Sequence, residues 1–203
     1  MELMEAIKKR VSVRNFADKP IPDGIITEML EAARLVPTPG NGQNHVFGII
    51  KDGNQKIKLA QAAGGQMWIA SAPVVFACCA DISWDIAGQP EDDFGLAVNY
   101  LRFGREFVHH MQQYPDRKAV MKLFDNGAPC LGAEHIFLTA VSHGLSACFI
   151  GWLDTDKASE ILRLPLNIVC LYLLPVGYPN EAVQPQAKKS IKEISFTDIW
   201  PEK

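Results

Sequence analysis

Ile168-Val169-Cys170-Leu171-Tyr172-Leu173-Leu174-Pro175-Val176 is the longest strongly apolar run in the chain. It is about half of the roughly 20 residues a helix needs to cross a bilayer, so it predicts a strand buried on both faces inside a folded core. Working outward, Pro73-Val74-Val75-Phe76-Ala77-Cys78-Cys79-Ala80 and Ser146-Ala147-Cys148-Phe149-Ile150 have the same character. So does Val46-Phe47-Gly48-Ile49-Ile50, stopped by Asp52-Gly53-Asn54. Between these runs the period changes. Ile26, Met29, Leu30 and Ala33 fall at i, i+3, i+4 and i+7, which predicts an amphipathic helix from Asp23 to Leu35 with Asp23 as its N-cap and Pro37 as its stop. Further helices are predicted from Gln55 to Ala63, from Phe94 to His110, from Pro129 to His143 and around Lys157 to Leu162. Gly64-Gly65 closes the first of these, and Gly144 suits the left-handed position after the third. Helices thus alternate with strands around a sheet covered on both faces.

The 203 residues fit one compact domain, or a domain with an appended arm. With 48% hydrophobic and 21% charged residues, the composition excludes a disordered chain. Twenty Lys and Arg against 23 Asp and Glu leave a net charge of −3, without the basic excess that a phosphate backbone requires, so no nucleic-acid partner is expected. Met1-Glu2-Leu3-Met4-Glu5-Ala6-Ile7-Lys8-Lys9-Arg10 places acids before bases and lacks an apolar core, unlike a secretion signal. It reads as a helix matched to its macrodipole. The five cysteines are an odd number, four of them within apolar runs, and suit reduced core thiols in a cytoplasmic protein with no membrane contact. Ser83 to Asp93 and Gln113 to Asn126 break periodicity and read as insertions or lids. After Gly177-Tyr178-Pro179 the chain turns polar and Lys-rich, an arm from about 180 to 203.

Most catalytic signatures are absent: no Gly-x-Ser-x-Gly elbow, no Gly-x-Gly-x-x-Gly after a strand, no Walker A loop and no Cys-x-x-Cys pair. His109 and His110 are adjacent and diverge on a helix, and His135 and His143 lie eight apart with no evident carboxylate facing them, so no metal site is expected. Nothing near Cys148 in sequence depresses its thiol pKa, which argues against a nucleophile. No catalytic side chain emerges, and the reactive group of an enzyme built this way comes from a cofactor.

Arg10-Val11-Ser12-Val13-Arg14-Asn15-Phe16 lies between the first helix and Pro20-Ile21-Pro22 and is too β-branched and Pro-bounded to stay helical. Extended, it turns Arg10, Ser12 and Arg14 to one side at steps of about 6.6–6.8 Å, with Val11 and Val13 toward the core. Two guanidiniums and a hydroxyl then span an elongated anion with a phosphate at one end and an electron-rich edge at the other. Two surface arginines paired with local acids is the competing reading of this segment. Pro37-Thr38-Pro39-Gly40-Asn41-Gly42-Gln43-Asn44-His45 is a rigid polar loop rich in the amide donors and acceptors that a heterocycle edge requires. Gly144-Leu145-Ser146-Ala147-Cys148-Phe149-Ile150-Gly151-Trp152 ends a buried strand at a glycine, where backbone can approach a flat ring.

Together these three pieces resemble the FMN-dependent nitroreductase family, whose members carry an Arg-x-Ser-x-Arg-x-Phe start, a Pro-Ser-x-x-Asn-x-Gln-Pro-Trp loop and a late Gly-Leu-Gly-x-x-x-Ile-Gly-Gly segment. The resemblance implies an α+β, three-layer α-β-α sandwich with a mixed central sheet, forming an intertwined homodimer with two FMN sites. It implies an FMN phosphate held by Arg10 and Ser12, with Val11 between them, and Arg14 at the pyrimidine edge, where a cation favours the anionic reduced flavin. Pro37, Thr38, Asn41 and Gln43 match a loop contributed by the second subunit. Ile150 and Gly151 match positions against the ring, and Lys188 one that closes on the phosphate. Four departures stand out: Thr38 for Ser, Asn44-His45 for Pro-Trp, Trp152 for a second Gly, and Gln186-Ala187-Lys188 for Lys-x-Arg. Trp152 either narrows the substrate space over the flavin or turns into the core, and a solvated Lys188-Lys189 pair is the plain alternative for Lys188. The implied activity is hydride transfer from NADH or NADPH through FMN to a nitroaromatic, quinone or enone by a ping-pong cycle. Alternatives are dehalogenation or flavin breakdown on the same scaffold, a flavin-binding protein without turnover, and a cofactor-free dimeric scaffold.

Overall fold

In the structure, a computed structural model that describes residues 1–200, four strands form one sheet: β1 (His45–Ile50), β2 (Val74–Asp81), β3 (Ser146–Ala147) and β4 (Ile168–Gly177). Their order is β1-β2-β4-β3 and each pair is antiparallel. Parallel pairing among the described residues is confined to one bridge, Ser12 to Ala147, so the mixed character expected of the sheet reduces to that contact. The run Ser146 to Ile150 pairs as a strand for only two residues. Its third partner on β4 would be Pro175, which lacks the N–H a ladder needs; Cys148 N donates to Pro175 O at 3.3 Å and receives nothing back. Contact with β4 resumes at Ile150 and Leu173.

The helices are α1 (Leu3–Lys9), α2 (Asp23–Arg34), α3 (Gly53–Ala62), α4 (Phe94–Phe103), α5 (Arg105–Gln113), α6 (Arg117–Phe124), α7 (Gly127–Ser142), α8 (Thr155–Ile161) and α9 (Ile191–Ile194). The alternation of β2 sorts them into two layers. Val74, Phe76 and Cys78 pack with Ala6 of α1, Met29 of α2 and Phe137 of α7. Val75, Ala77 and Cys79 pack on the other face with Leu59 of α3 and Ala158 of α8. A bulge between Cys78 and Cys79 shifts the register so that Cys79 faces Cys170. Gly132 lets α7 settle onto the sheet, because a Cβ there would stand 2.4 Å from the Phe47 ring.

Three local expectations change. Asp23 opens α2 and does not cap it; Pro22 holds the cap position and the Asp23 carboxylate pairs with Lys51 at 2.5 Å. The helix expected from Phe94 to His110 is two, broken at Gly104, whose φ of +85° and ψ of 144° are accessible to glycine alone. The stretch Gln113 to Asn126 contains α6, whose N-terminus is capped by the Asp116 side chain accepting from Ala119 N at 2.9 Å. With α4 and α5 this helix forms a small core of its own, Ile86, Leu96, Tyr100, Val108, Val120 and Met121. An Arg117–Asp85 pair ties the unit together, and Asp156 clamps it to α8 through Lys118 at 2.7 Å and Lys122 at 2.8 Å. Residues 181–200 are exposed throughout. Gly144 takes its left-handed turn at φ +74°. Cys78, Cys79, Cys148 and Cys170 are buried free thiols and Cys130 is exposed. Among the described residues no helix is long and apolar enough to cross a membrane.

Candidate functional site

The chain leaves α1 at Arg10 and runs extended along the sheet edge. Val13 N donates to Ala147 O at 3.0 Å, Ser146 Oγ to Val11 O at 2.7 Å, and Ala17 N to Tyr178 O at 2.8 Å. This anchoring makes the predicted alternation real: Val13 is 2% exposed, while Ser12 and Arg14 face solvent. Val11 and Arg10 are half-buried. The Arg10 guanidinium lies 5.3 Å from the Phe137 ring centroid and that of Arg14 5.9 Å from Trp68. Neither is in an ion pair among the described residues, which removes the reading of arginines spent on local acids. Glu134 is the carboxylate that feels Arg10, and burial raises its pKa while the Arg10 charge opposes that shift.

The Cys148 thiol sits beside Ser12 and Arg14. Burial pushes its pKa up, and the Arg14 charge with hydrogen bonds to Ser12 and Arg14 pulls partly back, so the thiol stays protonated. Arg14 and Ser12 do act on the thiol, but the net shift is upward, so Cys148 is not an activated nucleophile, in line with the sequence reading. Ile150 is 4% exposed, and both its backbone groups are committed to Leu173, at 2.9 and 3.2 Å. What faces outward is Gly151, where a Cβ would meet nothing nearer than Tyr172 at 4.0 Å. The chain's own packing does not demand a glycine there, so the bareness suits something from outside coming close. Trp152 does not turn into the core: it is 74% exposed, with its indole laid on Gly64.

The loop after α2 is ordered by its own bonds. Gln43 N donates to Thr38 Oγ at 3.0 Å, Asn41 N to Thr38 O at 2.9 Å and Gly42 N to Pro39 O at 3.0 Å, with Gly40, Asn41 and Gln43 all at positive φ. One chain therefore brings together Ser12, Arg14 and Cys148, with Arg10 two residues before Ser12 on the same extended segment and Gly151 three residues beyond Cys148. It joins neither Pro37, Thr38, Asn41 and Gln43 nor Lys188, which is exposed on the arm, to them by any hydrogen bond among the described residues. Trp68 and Cys148 were not legible as neighbours of Arg14, because they lie 54 and 134 residues away and no local pattern pairs segments so far apart.

His143 does have a carboxylate, Glu28 at 2.8 Å, contrary to expectation, and His135 Nδ1 contacts Ala32 O at 3.0 Å. Both pin α7 to α2. No group of three or more His, Cys, Asp or Glu positioned for a metal ion occurs among the described residues.

A sequence model described as Nitroreductase family matches residues 7–178. The chain belongs to the nitroreductase family. Its members are oxidoreductases that use FMN with NAD(P)H as reductant. The matched span covers the Arg10–Arg14 segment, the polar loop and Gly151, and stops before Lys188. An FMN reductase [NAD(P)H] of Bacillus subtilis is 32% identical over 183 residues, covering 89% of this chain and 67% of that protein. An NADH dehydrogenase of Thermus thermophilus is 26% identical over 194 residues, 96% of this chain and 95% of the relative. Among solved structures, NfrA1 of B. megaterium superposes with a TM-score of 0.74 at 25% identity, over 98% of this chain and 75% of its own. The α+β fold is thus that of the nitroreductases.

Proposed function

We propose that this nitroreductase-family protein binds FMN and passes a hydride from NADH or NADPH through it to a small nitroaromatic, quinone or enone acceptor, in a ping-pong cycle, in the cytoplasm. The observation that carries this reading is the pair of guanidiniums in no ion pair among the described residues, flanking Ser12 on an extended segment that bridges to Ala147, four residues before the bare Gly151. FMN, when bound, supplies the hydride relay, so no side-chain acid or base is demanded. Arg10 and Ser12 bind its phosphate through charge-assisted and hydroxyl hydrogen bonds, with Val11 fixing their spacing through its carbonyl. Arg14, held by Trp68, favours negative charge at the pyrimidine edge. Gly151, placed by the buried Ile150, leaves room for the ring, and Trp152 borders the acceptor space.

The rest of the site comes from a second copy. Pro37, Thr38, Asn41 and Gln43 are ordered yet apart from Arg10 and Arg14 of their own chain, and the arm exposes Ile191, Ile194, Phe196 and Trp200. We place the loop on the partner's flavin and the arm around the partner, with Lys188 brought to a phosphate. The visible absorption spectrum of the purified protein is the first test, with a flavin band expected. NAD(P)H oxidation with varied acceptors then gives parallel double-reciprocal lines. Colourless protein that takes up no added FMN overturns the reading.

A further inference from the structure

The polar loop ends on a partly buried carboxylate. Asn44 Nδ2 donates to Asp125 Oδ1 at 2.8 Å, while the Asn44 carbonyl accepts from Asp81 N at 3.0 Å. Asp125 lies between α6 and α7, and its second oxygen, Oδ2, is buried with no hydrogen-bond partner among the described residues. Pro39 of the loop and Asp125 line the same cavity of about 290 Å³, with Asn99 and Phe103 of α4 and Leu131 of α7. Burial pushes the Asp125 carboxyl up to about 6, with Asn44 opposing and Asp81 adding to the shift.

The charged and titratable groups on the surrounding elements do not supply a counter-ion. Asp81, at the end of β2, has the same sign. Arg102 of α4 lines the cavity, but its guanidinium stacks 5.1 Å from the Phe103 ring, and Lys122 of α6 is paired with Asp156. Burial lowers the pKa of His45 at the start of β1, disfavouring its charged form, and raises that of Cys130 on α7.

We propose that Asp125 is a positioning residue for the loop: its carboxylate fixes Asn44, and with it the geometry in which Pro37 to Gln43 meets the FMN of a second copy, and a proton added to it loosens that hold. The inference rests on the FMN reading for its consequence and on this chain's geometry for its cause. A hydrogen bond to an ionised acceptor is roughly twice as strong as its neutral counterpart. Once protonated, the acid accepts from Asn44 only as a neutral carbonyl, and it must also place an O–H where Oδ2 has no partner among the described residues, so the contact weakens and the buried pair rearranges. The loop has little slack to absorb that rearrangement, since Gly40, Asn41 and Gln43 are all left-handed and Asn41, Gly42 and Gln43 are tied back to Thr38, Pro39 or Asn41.

The test compares wild type with Asp125→Asn, nearly isosteric and permanently neutral, in two measurements between pH 5 and 8. The first is FMN affinity by flavin fluorescence. The flavin phosphate itself changes charge near pH 6, so the reading is the ratio of the two dissociation constants at each pH. The variant is expected to bind about tenfold more weakly at pH 8, with the ratio closing to unity by pH 5; a ratio that is unity or constant across the range overturns the proposal. The second is NMR of the apo-protein, following the Asn44 side-chain amide and the Gln43 backbone amide. Both should titrate with a midpoint near 6 in wild type and lose that step in the variant; flat resonances overturn the proposal whatever FMN does. Titrating resonances in a protein that binds no FMN support the coupling of Asp125 to the loop and remove the FMN reading instead.

Discussion

The Trp152 indole lies face-on over Gly64: a Cβ at Gly64 would stand 2.8 Å from Cε2 and 3.0 Å from both Cδ2 and Cζ2. Near-equal distances to three ring atoms mean that the missing Cβ points into the ring face. Gly64 is required twice, for that clearance and for its φ of +69°. The indole therefore has one face fixed on backbone and the other open to solvent, a pre-ordered platform next to Gly151.

Trp152→Gly should widen the range of acceptors with FMN still bound, read as kcat/KM across nitroaromatics, quinones and enones of increasing width; an unchanged profile would mean that the indole does not border the pocket. Gly64→Ala should shift the same profile by displacing the ring. It also places a side chain in left-handed backbone, costing about 1–2 kcal/mol and roughly 3–6 °C in Tm.

Arg10→Ala should weaken FMN retention by about 10- to 100-fold, because a hydrogen bond to a charged group contributes about 1.5–3 kcal/mol and Arg10 is in no ion pair among the described residues. The guanidinium stacks on Phe137 from outside the core, so Tm of the apo-protein should move little. Equilibrium dialysis of FMN decides this, and unchanged affinity would remove Arg10 from the phosphate site.

Asp125→Asn has a stability signature opposite to that of an ordinary buried-polar substitution. The folded carboxyl is raised from 3.8 to about 6, so the native state binds more protons than the unfolded one between those values. Stability is then lost as pH rises through that window. Removing the charge should stabilise the apo-protein at pH 7.5 by about 1–2 kcal/mol, after discounting for partial solvent screening, and leave it unchanged near pH 4. Thermal unfolding at the two pH values tests the sign, and a variant less stable at pH 7.5 would mean that the Asn44 contact outweighs the cost of burial.

Periodicity carried most of the layers, and the physical reasons for its misses are local. Gly104 sits in a helical hydrophobic pattern that continues on both sides, so the pattern reads through a residue whose ψ of 144° ends the helix. Pro175 lies on β4, twenty-nine residues from Ser146, and its missing N–H shortens a strand that β-propensity alone would carry to Ile150. The Arg10, Ser12, Arg14 face was legible because an extended segment between a helix and two prolines has a fixed period of two. The carboxylate under Asn44 was not, since Asp125 is 81 residues away and nothing in a polar segment marks which acid will be buried.

Deleting residues 182–203 tests the division of labour between the two copies. Asn180 still ties the chain end to Asn15 and Phe16, at 3.1 Å, 2.9 Å and 3.0 Å, and every described residue beyond Glu181 is exposed. Losing them should leave the protomer's fold intact by circular dichroism. The exposed Ile191, Ile194, Phe196 and Trp200 gain a reason to exist only against another surface. The truncated chain should therefore shift toward monomer in light scattering and lose FMN in parallel, since the loop that completes each site would no longer be presented by a partner. Dimerisation and FMN binding that both survive would show that the arm is dispensable and that other apolar surface, such as Leu3, Met4 and Ile7 of α1, holds the copies together. Loss of FMN from an intact dimer would instead assign the arm, through Lys188, to the phosphate itself.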